Sequence, residues 1–480
     1  MALTSEELNY LVWRYLQESG FSHAAFALNH ESSLSGTKLD VDHVPPGALV
    51  SFVQKGIQYM EMEANLNDDN DGVEGEFARL SAHDIMTNDI PTLKSLLADK
   101  KEKLEKDREL RRQRRAQSRM ERHTHQEVSP AQTCTLEGHE KDVFICAWSP
   151  AGSLLASGSG DATARIWDTE HGNTSVVMPH VLPGNPESEK TKDVTTLDWN
   201  VDGSLLATGS YDGYARIWNS AGVLQVSCAG HEGPIFSLKW SKRGDLLLSG
   251  SVDKTSIIWD GRTGEMRQRF RFHTAPVLDV DWSSHNTFAT CSTDQMIFVC
   301  RVGEQQPVHR FEGHSDEVNA VKWNSTGTIL ASCSDDNTAR VWSTSSASCI
   351  HRLAEHTKEI YTIKWSNTGP GTANPQARLL LVTASFDATI RLWEMDTGTC
   401  VNTLIQHTHP VYSVAFSPDG LWLASGSFDK QLHIWSVQGG ALVRTFKGAG
   451  GIFEVCWNRE GTRVAACFSN KTIAVIDPGL

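Results

Sequence analysis

The chain has 480 residues, 39% hydrophobic and 21% charged, with a formal net charge of −14 and ten cysteines. That length exceeds one ordinary core and calls for several domains or a repeat array, while no apolar run reaches the roughly 18–20 residues of a membrane span. The cysteines stand singly with no C-x-x-C pair, so neither a zinc site nor a disulfide framework is expected, and they read as reduced, buried thiols.

The first predicted elements are helical. In "TSEELNYLVWRYLQESGFSHAAFAL", Thr4 and Glu7 have capping-box spacing. Leu8, Leu11, Val12, Tyr15 and Leu16 form one apolar stripe, and Gly20 supplies a C-terminal stop. Ser22 is expected to cap a second helix through Ala25, Phe26 and Leu28. The acids of this N-terminus stand where a signal peptide carries basic residues, and a small-residue cleavage site is missing. The spaced leucines, Tyr15-Leu16 and Gly20-Phe21 resemble a LisH motif, assigned to residues 1–36. Two short helices cannot bury such a stripe alone. Self-association through Leu8, Leu11, Val12, Tyr15, Leu16, Phe21 and Phe26 is therefore expected, with docking onto the rest of the chain as the alternative.

Residues 40–98 follow as a helical segment. Pro45-Pro46 opens a helix whose Leu49, Val53, Ile57 and Met60 share a face. Residues 99–130 form a charged linker. Residues 1–98 carry a net −10, residues 99–123 a net +5 and the remainder −9. An acidic body does not suit phosphate contacts, so no sequence-specific nucleic acid is expected as a direct partner. Arg111, Arg112, Arg114 and Arg115 read either as a nuclear localisation signal or as part of a solvated helix.

The remaining three quarters are periodic. An Asp followed six positions later by Trp recurs at Asp161, Asp212, Asp253, Asp336, Asp387 and Asp429. Degenerate copies start at Asp294 and Asn470, and the eight marks are 51, 41, 41, 42, 51, 42 and 41 residues apart. A His precedes the Asp in each unit but the last (His139, His231, His273, His314, His356 and His407, with His180 less certain), and Ser or Thr stands four positions before it. Stretches such as "GHEKDVFICAWSPAGSLLASGSGDATARIWD" resemble the WD repeat. The fold class implied is an all-β, eight-bladed propeller over 131–480 behind a small all-α oligomerisation domain. "AQTCTL" is expected to close the ring as the outer strand of blade eight.

His314, Ser332 and Asp336 within one segment suggest a hydrolytic triad. The same set nonetheless occurs in six or seven of eight units, as in His139, Ser157, Asp161 and Trp167 and again in His314, Ser332, Asp336 and Trp342. A set repeated in this way is architectural. No catalytic residue, metal or cofactor is expected.

Function is expected on the propeller face that carries the loops before strands one and three of each blade. Two positions per blade should point out of it, and eight of those sixteen are aromatic: Phe144, Tyr211, Phe236, Tyr361, Phe386, Tyr412, Phe428 and Phe453. Exposed rings around a channel mouth suit a peptide or protein partner, and an aromatic cage for methyl-lysine is the sharper form of the idea.

The order LisH, F-box-like segment (the helical residues 40–98), linker and eight WD repeats, with "VFICAW", "ATGSYDGYARIW", "EIYTIKWS" and "GIFEVCW", resembles the transducin β-like corepressor subunits over nearly the whole chain. The linker departs, being charged where animal members are Ala/Gln-rich. The resemblance implies a non-enzymatic nuclear scaffold of a corepressor and histone deacetylase complex. The N-terminal oligomer would grip corepressor and deacetylase, and the propeller would contact histone tails or transcription factors, with recruitment of ubiquitin-ligase components as a further role. The alternatives are a substrate receptor of a cullin-type ubiquitin ligase and a LisH–WD regulator of dynein.

Overall fold

The computed structural model describes residues 4–32, 44–65, 85, 87–98, 126–170, 174–180, 192–369, 372 and 374–480. These fall into two units, Met1–Met120 and Glu121–Leu480.

In the first unit, helix α1 (Ser5–Glu18) starts at the Thr4/Glu7 capping box, Thr4 N–H donating to Glu7 at 2.8 Å and Glu7 N–H to Thr4 at 3.3 Å. It ends where Gly20 takes φ +84°, letting Phe21 N–H reach Leu16 O at 2.8 Å. Helix α2 (Ser22–Glu31) corrects one expectation. Its N-cap is Phe21 with no side-chain cap, and the Ser22 hydroxyl instead bonds Gly20 O. Helix α3 (Ala48–Asn65) is tied back to α1 by Gly47 N–H donating to Glu18 at 3.0 Å. Ile57 and Met60 of α3 pack on Ile85, Leu93 and Leu97, the last two within helical residues 90–98.

The second unit is the eight-bladed propeller. Blade 1 runs through strands Val143–Trp148, Leu154–Ser159, Thr163–Asp168 and Thr174–Pro179, joined as an antiparallel meander, and blades 2 to 7 repeat it. Blade 8 consists of Ile452–Trp457, Val464–Phe468 and Ile473–Ile476, completed by Thr133–Leu136 from before blade 1. The ring therefore closes with the expected strand. A fifth strand is unexpected: Gln126–Glu127 adds parallel to the outer edge of blade 7, with Glu127 pairing Lys447.

Burial explains the strand sequences. Second strands such as "LLASGS" lie between two neighbouring blades and are buried almost throughout, so they cannot alternate apolar with polar. Their glycines leave room for the next blade: a Cβ on Gly426 would stand 2.4 Å from Ile452, and one on Gly158 2.8 Å from Val194. Outer strands are solvated on one side, and some alternate, as Ser348–Leu353 does.

Fourteen of the fifteen tryptophans lie in the propeller, the exception being Trp13 of α1. Six are the Asp-spaced set, while seven end first strands, from Trp148 to Trp457. Most of these seven donate their indole N–H to a main-chain oxygen of the preceding blade, as Trp365 does to Lys322 O at 2.7 Å and Trp282 to Lys239 O at 3.0 Å. Each such bond stitches two blades near the axis.

Leu136 tests the closure. It is buried against Val143 and Ile473 at the joint of blades 1 and 8. Leu136→Ala is expected to cost about 2–3 kcal/mol in denaturant unfolding, as for a central core leucine. A surface-like cost below about 0.5 kcal/mol contradicts closure by this strand.

Candidate functional site

Each blade's first strand carries one bulge, and the residue it ejects from the ladder is always the second: Phe144, Thr195, Phe236, Leu278, Asn319, Tyr361, Tyr412 and Phe453. A bulge re-aims its side chain and bends the strand, which turns this position toward the loop face. The residue before each turn Asp returns its N–H to the loop ahead of the first strand, as Phe386 does to Glu359 O at 3.0 Å and Phe428 to Pro410 O at 3.1 Å. The two positions therefore meet on every blade.

This brings six of the eight expected aromatics into one run across blades 6, 7, 8 and 1. Centroids are 5.9 Å apart for Phe386–Tyr361, 5.1 Å for Tyr361–Tyr412, 5.9 Å for Tyr412–Phe428, 6.2 Å for Phe428–Phe453 and 5.6 Å for Phe453–Phe144. Tyr211 and Phe236 form a separate pair at 6.3 Å. Tyr361 and Phe428 are each 45% exposed. Tyr361 and Phe386 stack at 19° while their neighbours meet tilted or edge to face, so each ring packs on another ring. They form a continuous aromatic floor. Blade 5 borders it with acids. Asn319 donates to Asp335 at 2.6 Å and to Ile360 O of blade 6 at 3.0 Å, and burial with the neighbouring Asp335 and Asp316 raises the Glu317 carboxyl.

The repeated His–Ser–Asp set lies beneath. In blade 5, Asp336 accepts from His314 Nδ1 at 2.9 Å, and Ser332 Oγ stands 2.7 Å from His314 Nε2. Trp342 Nε1 donates to the same Ser332 Oγ at 2.8 Å. Asp336 also accepts from the N–H of Ser315 and Thr338 and from the Thr338 hydroxyl. His139, Ser157, Asp161 and Trp167 repeat the arrangement with all three bonds at 2.8 Å. Ser332 is 0% exposed and its oxygen already holds an indole N–H, so no substrate carbonyl can reach it. Blade 4, lacking the Trp, sets Phe298 against His273 at 4.7 Å. Blade 2 does include His180, through a residue the repeat pattern did not mark. Arg216 donates to His180 Nδ1 at 3.2 Å and pairs with Asp212 at 2.8 Å.

These networks set an acid limit on the fold. Burial alone would raise the tetrad carboxyls, but the His ring, the loop N–H groups and, in most blades, a Thr hydroxyl outweigh it and hold them well below the usual carboxylate range, Asp429 at about 2. Burial and then the Arg216 charge push His180 down to about 3. Both kinds of group bind fewer protons folded than unfolded, so both stabilise at neutral pH and lose that contribution as pH falls. The melting temperature is expected to decline from about pH 6.5, as unfolded His180 protonates, and more steeply below about pH 4. His180→Gln should weaken the first branch, which His314, also lowered by burial, shares. A melting temperature flat from pH 7 to pH 4 contradicts this.

The axis carries a feature the repeat pattern did not suggest. Charged residues of first strands interact there across blades, with Lys239 on Asp198 at 3.1 Å and Lys322 on Asp279. Lys364 and Glu454 face the same channel, where burial lowers the first and raises the second. Among the described residues no group of three or more His, Cys, Asp or Glu is arranged to hold a metal.

The WD domain, G-beta repeat model matches eight segments, from 130–168 through 440–477, and the LisH model matches residues 6–32. The F-box-like/WD repeat-containing protein TBL1X of Mus musculus is 47% identical over 99% of both chains. The chain belongs to the transducin β-like LisH/WD-repeat corepressor subunit family. The WD40 repeat-containing protein HOS15 of Arabidopsis thaliana is 41% identical, again over 99% of both chains. Among solved structures, the C-terminal WD40 domain of Sif2 superposes with a TM-score of 0.62 over 72% of this chain and 98% of that one, at 24% identity, a likeness of fold.

Membership in this family gives the N-terminal unit its LisH identity, and the geometry distributes the expected oligomerisation residues unequally. Leu11 is buried within one copy, Val12 and Leu16 are half-buried, and Leu8 and Tyr15 are exposed. Phe21 and Phe26 are 56% and 72% exposed. Arg111, Arg112, Arg114 and Arg115 lie outside the described residues.

Proposed function

We propose that this chain is a non-enzymatic adaptor of a nuclear histone deacetylase corepressor complex, oligomeric through its LisH unit and holding basic protein tails on its propeller. The observation that carries the propeller half is the six-ring floor running into the acids of blade 5. Rings give large contact area at small entropic cost, and carboxylates at the rim select lysine- and arginine-rich chains. Histone tails have that composition, and transcription factors offering a basic segment fit the same surface. The exposed Leu8, Tyr15, Phe21 and Phe26 support association of the N-terminal unit with further copies and with corepressor.

A cullin-type substrate receptor shares the scaffold but differs in what the N-terminal unit binds. Affinity purification of the full chain from nuclear extract, with deacetylase activity and cullin both assayed in the eluate, separates them. Deacetylase without cullin is the expected result. Cullin without deacetylase overturns the proposal in favour of the ligase.

A further inference from the structure

Four of the ten cysteines gather where the last blade meets the first. Cys146 and Cys467 are buried in the core cluster of that joint, and Cys134 and Cys456 pack on it from partly buried positions. Cys146 belongs to the first strand of blade 1 and Cys456 to the first strand of blade 8, and their Sγ atoms stand 3.6 Å apart although 310 positions separate them in the chain. All ten cysteines are reduced. At this joint the ring closes by strand pairing between blade 8 and the segment preceding blade 1, with Trp148 Nε1 donating to Cys456 O at 3.3 Å across it.

We infer that Cys146 and Cys456 form a hydroperoxide-driven disulfide that closes the propeller covalently. The two sulfurs are already in contact across adjacent first strands, and a bond needs them to approach to about 2 Å, an adjustment of side-chain torsions. Cys456 is the more exposed of the two and sits at the strand position that lines the channel, so it is the one an oxidant meets. Its thiolate attacks hydrogen peroxide, giving a sulfenic acid and hydroxide. The Cys146 thiolate then attacks that sulfur, the S–S bond forms, and hydroxide leaves. With the two thiol protons, one peroxide and two thiols yield one disulfide and two waters.

Cys456 donates its S–H to Cys146, and that bond together with burial holds the Cys456 thiol well above its ordinary range; the Cys146 thiol is raised as well, so little thiolate of either is present at neutral pH. The reaction is accordingly slow. This is a clasp that sets under sustained oxidation, and rapid peroxide sensing is not its role. Joining residues so distant in sequence restricts the unfolded chain strongly, which stabilises the ring once the bond has formed.

The test uses the full chain, exposed to excess hydrogen peroxide, alkylated, and peptide-mapped by mass spectrometry without reduction. A Cys146–Cys456 cross-linked peptide is expected, with a melting temperature raised by roughly 5 °C and restored by dithiothreitol. Cys456→Ser should abolish both changes. The map on the unsubstituted chain needs no variant to fold. Any other pairing, sulfinic acid without a cross-link, or a cross-link that leaves the melting temperature unmoved overturns the inference.

Discussion

Asp336→Ala is expected to cost the propeller roughly 3–4 kcal/mol, and to lower its melting temperature by roughly 5 °C. The substitution strips acceptors from His314 Nδ1–H, from the N–H of Ser315 and Thr338, and from the Thr338 hydroxyl, all at one nearly buried carboxylate. Those donors cannot turn to water, so the cost is the desolvation of unpaired groups and exceeds the worth of any one bond. Ser332→Ala should cost about 2 kcal/mol, because it leaves His314 Nε2 and Trp342 Nε1 unpaired. His314→Ala combined with Asp336→Ala should cost less than the two added separately, by about 1–3 kcal/mol, since each change removes the same contact. Chemical denaturation of the four variants measures this. Additive losses would mean that His314 and Asp336 act separately.

Phe386→Ala with Phe428→Ala is expected to weaken binding of a basic histone-tail peptide at least tenfold, read by calorimetric titration. The rings also support each other: Phe386 contacts Tyr361 and Tyr412, and Phe428 contacts Tyr412 and Phe453 while lying over Gly451. The double change therefore costs about 1–2 kcal/mol of stability, more than fully exposed rings would. That loss is small beside Asp336→Ala, so the two classes of variant separate cleanly: one weakens the fold, the other the surface. Undiminished peptide affinity in the double variant would place the binding surface elsewhere.

The propeller was legible in the sequence because its loops repeat with the blades. Asp161, Asp253 and Asp336 each fix a turn by local side-chain bonds, so spacing alone revealed them. The register also paired the two positions that meet on each blade, although not the bulge behind the pairing. The bulge that ejects Tyr361 or Phe453 has no residue type of its own. Apart from ring closure by Thr133–Leu136, features that join distant segments were not legible. Trp365 meets a main-chain oxygen of the preceding blade, which any residue would present. Arg216 replaces a direct His–Asp contact after an insertion has displaced His180 from its usual spacing. Gln126–Glu127 is too short to read as a strand until the edge of blade 7 stands beside it. In the N-terminal unit the stripe of α1 was visible, but its division into Leu11, buried within one copy, and Leu8 and Tyr15, left exposed, depends on how α2 and α3 pack.

The central claim is that two surfaces do two jobs, the N-terminal unit holding the deacetylase side and the aromatic floor holding the basic tail. Parallel affinity purifications of the full chain and of its Phe386→Ala/Phe428→Ala variant test it most directly, with deacetylase activity and bound histone measured in each eluate. The account predicts equal deacetylase activity in both eluates and histone retained by the unsubstituted chain alone. Loss of deacetylase together with histone in the variant, or histone retained by both, would contradict it.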